Sequence, residues 1–138
     1  MSLAAEPTLG MPQMDSEHAV QIELLREVER AVATLDRTTA LDLMKRLGDY
    51  SEAHFGSEQI LMRLHAYPQY AAHEAEHGKL LAELRRIRDR LTFDDRTELT
   101  EAVQELRNWL LNHIQTSDRR FAEYIRGESL RRPHSDRS

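Results

Sequence analysis

Cysteine is absent from this 138-residue chain, which excludes thiolate catalysis, a disulfide framework and Cys-ligated zinc or iron–sulfur sites. Glycine and proline are scarce, at five and four residues, so punctuation along the chain is sparse. No apolar run approaches the roughly 18 residues that a bilayer span needs. The opening MSLAAEPTLG also lacks the basic and apolar regions of a secretory leader. A cytoplasmic protein with no membrane partner is therefore expected. Lys and Arg are outnumbered by Asp and Glu, 19 to 24, for a net charge of −5. That balance is a poor basis for binding a phosphate backbone. No aromatic interleaving or recognition motif accompanies the basic residues, so no nucleic-acid partner is expected. The remaining composition, 40% hydrophobic and 31% charged, is that of an ordinary globular domain able to build its own core.

The breaks fall at Gly10 and Pro12, Asp36–Thr39, Tyr67–Pro68, Thr92–Arg96 and Gly127. They leave four segments of helical length. In the first, Asp15 is a credible N-cap, and His18, Ile22, Leu25, Val32 and Leu35 recur at near-helical spacing. The second starts at Thr38 or Thr39, with Leu47, His54, Glu58 and Leu61 inward. Pro68 suits the first turn of the third, which carries His73, His77, Leu80, Leu84, Ile87 and Leu91. The fourth starts near Thr97, carries Val103, Leu106, Leu110 and His113, and fades after Tyr124, with Gly127 as a plausible stop. Short connections make consecutive helices antiparallel neighbours. The expected fold is all-α: an up-down-up-down four-helix bundle over 15–127, a short N-terminal arm over 1–14 and a polar C-terminal tail over 128–138.

Seven histidines are present, a high count for this length. His54 and Glu58, and likewise His73 and His77, are spaced i,i+4, so each pair shares a helix face. His113 and Asp118 are spaced i,i+5. On an ideal α-helix that spacing separates them by roughly 140°, and a π-type turn would bring them together. In the expected topology the start of helix one, the end of two, the start of three and the end of four share one end of the bundle. His18, His54, Glu58, His73, His77, His113 and Asp118 then occupy a slab about 4–20 Å from that end. Buried there, five imidazoles and two carboxylates would be a severe polar load without a partner, and a pair of metal ions removes it. Two bridging carboxylates, five terminal imidazoles and one solvent-derived oxide or hydroxide bridge fill all but one position of two octahedral ions. Mixed N/O donors without thiolate suit iron.

These motifs carry a family resemblance over roughly residues 9–125. The opening GMPQMDSEH, then HFGSE followed by Tyr67–Pro68, HEAEH, and WLLNHIQTSD together resemble the hemerythrins in their single-domain bacterial form. The resemblance implies two iron ions per chain, bridged by oxide or hydroxide. It implies His73, His77 and His113 on one iron, His18 and His54 on the other, and Glu58 and Asp118 bridging. It also implies a dioxygen pocket lined by Phe55, Trp109, Leu110 and Ile114. The implied activity is reversible dioxygen binding for storage, delivery or protection, by a monomer that is not an enzyme, with azide or nitric oxide as further small ligands. Glu17 stands where that family usually has glutamine, and Leu80 where phenylalanine is common.

Other readings compete with this one. An oxygen, redox or nitric-oxide sensor acting through a separate partner would use the same site. His73, Glu74 and His77 also satisfy the His-Glu-x-x-His pattern of zinc metallopeptidases, with Glu74 as general base, but that reading leaves the other five ligands without a role. Ferritin-like di-iron oxidases need two Glu-x-x-His pairs, and only Glu74 and His77 form one here. Trp109, Leu110 and Ile114 can equally be core, and Phe55 can close a helix interface. His65 reads as a surface residue that caps the second helix, and His134 as part of the tail.

Overall fold

The computed structural model describes residues 9–92 and 95–131. They form helices α1 (Pro12–Ala33), α2 (Arg37–Leu64), α3 (Tyr70–Arg90) and α4 (Arg96–His113), a π-helical segment (Ile114–Asp118) and α5 (Arg119–Arg131). The last three run on without a break, so the molecule is an up-down-up-down bundle of four rods. No strand occurs among the described residues. No helix among them is long and apolar enough to cross a membrane.

The helix ends depart from the sequence reading in instructive ways. α1 begins at Pro12 with Met11 as its N-cap and no side-chain cap, so the proline preference for the first helical position is met here. Asp15 is therefore not a cap. It lies inside the first turn, where its carboxylate accepts the Leu9 N–H at 2.8 Å and draws the arm onto the helix. Pro68 precedes α3 in a turn, and Gln69 is that helix's N-cap. Asp95 and Glu98 form a reciprocal capping box at α4.

α1 and α2 both end in a Schellman turn without glycine. The Asp36 and Leu35 N–H groups donate to the Ala31 and Val32 carbonyls, and the Tyr67 and Ala66 N–H groups donate to Met62 and Arg63. The left-handed positions fall on Leu35 (φ 56°) and Ala66 (φ 50°). Leu35 is thus exposed, not the last inward position of α1. Gly127, expected as a stop, lies within α5, and residues 128–131, expected as tail, continue the helix. The extension is held from the side: the Tyr124 hydroxyl donates to the His65 carbonyl at 2.8 Å, and His65 Nδ1 meets Glu128 Oε1 at 2.6 Å. His65 is the C-cap residue of α2 and half-buried by this contact. His134 and the rest of the expected tail lie outside the described residues.

Two apolar clusters fill the bundle. The larger runs from Ile22, Leu25 and Val28 through Leu84, Ile87 and Leu106 towards the α1–α2 corner. The smaller joins Leu9 and Met14 to Met62, Tyr67, Phe121 and Ala122 at the opposite end. Between them lies a layer of buried polar side chains.

Ala66 and Gly78 supply a test of the backbone assignments. Ala66 occupies a left-handed position, whereas Gly78 sits mid-helix with open space where a Cβ would be. Ala66→Gly and Gly78→Ala should each raise stability by about 0.5–1 kcal/mol in denaturant melts. Ala72→Gly, at an exposed position of α3, should lower it by about 1 kcal/mol.

Candidate metal centre

The buried layer contains His18 from α1, His54 and Glu58 from α2, His73 and His77 from α3, and His113 and Asp118 from the fourth rod, each at most 3% exposed. The i,i+4 pairs turn inward because their helices are regular. The i,i+5 pair does so because Ile114–Asp118 is a π-helix, whose i→i+5 bonding adds a residue to the turn. The Thr116 hydroxyl donates back to the Asn112 carbonyl at 2.7 Å in this segment. All seven residues singled out in the sequence as ligands come together.

The two carboxylates straddle the site. Glu58 Oε2 lies 2.9 Å from His54 Nε2 and 3.4 Å from His18 Nε2, while its Oε1 lies 3.1 Å from His77 Nε2 and 3.5 Å from His73 Nε2. Asp118 Oδ2 lies 3.0 Å from His18 Nε2, while its Oδ1 lies 2.8 Å from His73 Nε2 and 3.2 Å from His113 Nε2. Two overlapping groups, Glu58–His73–His77–His113–Asp118 and His18–His54–Glu58, each offer ligand atoms within 4.8 Å of one another. Despite the short separations, all five Nε2 atoms and all four carboxylate oxygens lack a hydrogen-bond partner. The donor atoms converge on the space between them, not on one another. An unpaired buried polar atom costs about 1–3 kcal/mol, and nine gathered in one place fit coordinated cations with nitrogen and oxygen preference.

The opposite ring nitrogens are held from outside the cluster. His54 Nδ1 meets Glu17 Oε1 at 2.5 Å, His77 Nδ1 meets Gln59 Oε1 at 2.9 Å, and His113 Nδ1 meets Glu76 Oε1 at 2.7 Å. Ser117 Oγ also donates to Glu76 at 2.6 Å. Such partners fix the tautomer that leaves Nε2 free for a metal. In the sequence Glu17 stands out only as a departure from the family's usual glutamine, and Gln59 and Glu76 hold no ligand position of a motif. The available signal was position: each of the three acceptors is the chain neighbour of a ligand.

Phe55 stacks on His77 with centroids 3.9 Å apart and planes at 9°. Half-buried Trp109 stacks on His113 at 5.4 Å and 8°. Leu110 and Ile114 are buried alongside. Glu74 is exposed and accepts from the Tyr70 hydroxyl at 3.3 Å. It stands outside the cluster, so HEAEH does not present a zinc-site general base.

Without metal, burial disfavours the His18 and His73 cations, but Asp118 and Glu58 outweigh it and raise both pKa values from 6.5 to about 9. Burial opposes the Glu58 and Asp118 anions as well, yet the surrounding imidazoles hold both carboxyls below their ordinary values. Burial likewise disfavours the His54 and His113 cations, and Glu58 and Asp118 outweigh it and raise both above the ordinary imidazole value.

Comparisons with known proteins bear on the family and the fold. A family model described as the hemerythrin HHE cation binding domain matches residues 9–125. A bacteriohemerythrin of Ralstonia nicotianae is 30% identical over 117 residues, 85% of this chain and 82% of that protein. Bacteriohemerythrins of Stenotrophomonas maltophilia and Methylococcus capsulatus are each 27% identical, over 86% of this chain and 76% and 90% of theirs. A solved hemerythrin point mutant, 23% identical, superposes with a TM-score of 0.77 over 89% of this chain and 97% of its own, which shows the shared fold.

The raised imidazoles set the sign of a pH effect. Their contribution is fully present below about pH 6.5 and is lost as pH rises through about 9. Chelator-treated protein should therefore lose Tm between pH 6.5 and 9, and metal loading should release protons at neutral pH. The metal-loaded protein should lack this fall in a pH series of thermal melts.

Proposed function

The chain belongs to the hemerythrin HHE cation-binding family, and on that premise we propose that it holds two iron ions and binds dioxygen reversibly. The observation that carries the reading is the convergence of five imidazole nitrogens and four carboxylate oxygens, buried and unpaired, on one space. His73, His77 and His113 would hold one ion, and His18 and His54 the other. Glu58 and Asp118 would bridge, each offering one oxygen to either side. An iron pair held there would supply the redox chemistry that dioxygen uptake needs.

The protein's own work is positioning and exclusion. Glu17, Gln59 and Glu76 hold three ring planes, so coordination demands little rearrangement. Phe55, Leu110 and Ile114 close the site with apolar surface, and Trp109 covers His113 from the outer side. Water and general acids are kept from the bound gas in this way, which favours its release unchanged. The donor set carries two negative charges, so with two divalent ions the centre retains positive charge. Neutral imidazole donors favour reversible binding over oxidation chemistry.

Protein loaded with iron under anaerobic conditions should contain about two irons per chain and be colourless. Air should produce a visible absorption band that vanishes when oxygen is removed. A single zinc with peptidase activity would overturn the reading. His77→Ala and Glu58→Ala should lower both iron content and Tm, because bound metal stabilises only the folded state. His65→Ala and His134→Ala should leave iron content unchanged.

A further inference from the structure

One layer below the ligands, each rod contributes a residue three positions from a histidine: Gln21 after His18, Ser51 before His54, Leu80 after His77 and Leu110 before His113. That spacing stacks each of them on the same face as its ligand. The layer is lopsided. Its α3 and α4 side is leucine, whereas its α1 and α2 side is an amide and a hydroxyl. Gln21 Nε2 donates to Ser51 Oγ at 2.9 Å. Gln21 is 0% exposed, and its Oε1 has no partner. Ser51 is 1% exposed and lines a void of about 10 Å³ shared with Leu80, Leu110 and the leucines of the next layer. A void of that size is about one water molecule.

An unpaired amide oxygen in a leucine core is costly, and helix packing alone does not call for it. The ligand count says what it serves. With two ions held as proposed, three imidazoles would serve the His73 side of the centre and only two the His18 side, so the position left for an outside ligand would fall on the α1–α2 side, where Gln21 and Ser51 lie one helical turn from His18 and His54. We propose that Gln21 and Ser51 form a hydrogen-bonding contact for the small exogenous ligand of the site, which turns its pocket towards small anions and not only apolar gas. The pair suits either polarity. The amide can turn about its last torsion and the hydroxyl can reverse, presenting a donor or an acceptor. The net positive charge of a metal-loaded centre acts in the same direction. This inference rests on the di-iron reading above.

The test is azide titration of iron-loaded, air-oxidised protein, followed in the visible spectrum beside iron analysis and thermal melts. Gln21→Met keeps the side-chain length and removes the amide, and Ser51→Ala removes its partner. Both variants should retain the wild-type iron content. Azide should bind roughly tenfold or more weakly to Gln21→Met and several-fold more weakly to Ser51→Ala, while the Tm of metal-free Gln21→Met stays level or rises. Wild-type azide affinity in both fully loaded variants would overturn the contact while leaving the di-iron reading intact. Iron lost from Gln21→Met, with Ser51→Ala loaded and binding azide normally, would assign Gln21 to supporting His18 and equally overturn it. A wild-type protein that takes up no iron would defeat the underlying reading, and the inference with it.

Discussion

Glu58 and Asp118 bring two carboxylates into the middle of the bundle at 1% exposure, among five imidazoles that approach closely without bonding to them. Burying a charge is tolerable only where something compensates it. In the metal-free chain, protonation of His18 and His73 does so, which is why their pKa values rise to about 9 despite burial. A bound cation pair would compensate the carboxylates without those protons. The bundle is built around this layer. Apolar clusters seal it on both sides, and the fourth rod departs from α-helical winding at the place where Asp118 must enter.

The outer hydrogen bonds follow the order of the chain. Glu17 on α1 holds His54 on α2, Gln59 on α2 holds His77 on α3, and Glu76 on α3 holds His113 on α4. Each acceptor adjoins a ligand in sequence, so the residue that orients one helix's imidazole is itself placed by the ligand beside it. His18 belongs to the first helix and has no predecessor to hold it, and its Nδ1 is left without a partner.

Much of this was legible in the residue order. The i,i+4 pairs at His54 and His73 mark inward faces, and bundle topology brings them to one depth. The i,i+5 spacing of His113 and Asp118 signals the π-turn that the structure contains. The helix ends were less legible because their signals were displaced. Leu35 and Ala66 take left-handed positions that glycine would have advertised. Asp15 looks like a cap but holds the arm, and Gly127 looks like a stop but is carried through by the contacts of Tyr124 and Glu128 with His65. The Gln21–Ser51 pair is not legible in the sequence because a lone Gln and a lone Ser carry no periodic signal. Only their burial on facing helices reveals them.

The arrangement of the outer bonds bears on how the centre comes together. All three join helices consecutive in the chain, so each needs only a helical hairpin and closes a short loop. Asp118 is different: its Oδ2 lies 3.0 Å from His18 Nε2, joining residues a hundred positions apart. A chain still missing its last helix would contain every residue of the first two outer pairs, yet its ring of ligands would stand open between α1 and α3. The π-turn is thus the clasp of the centre. A cage of this kind can be assembled hairpin by hairpin, but it can retain a guest only after the final segment has docked.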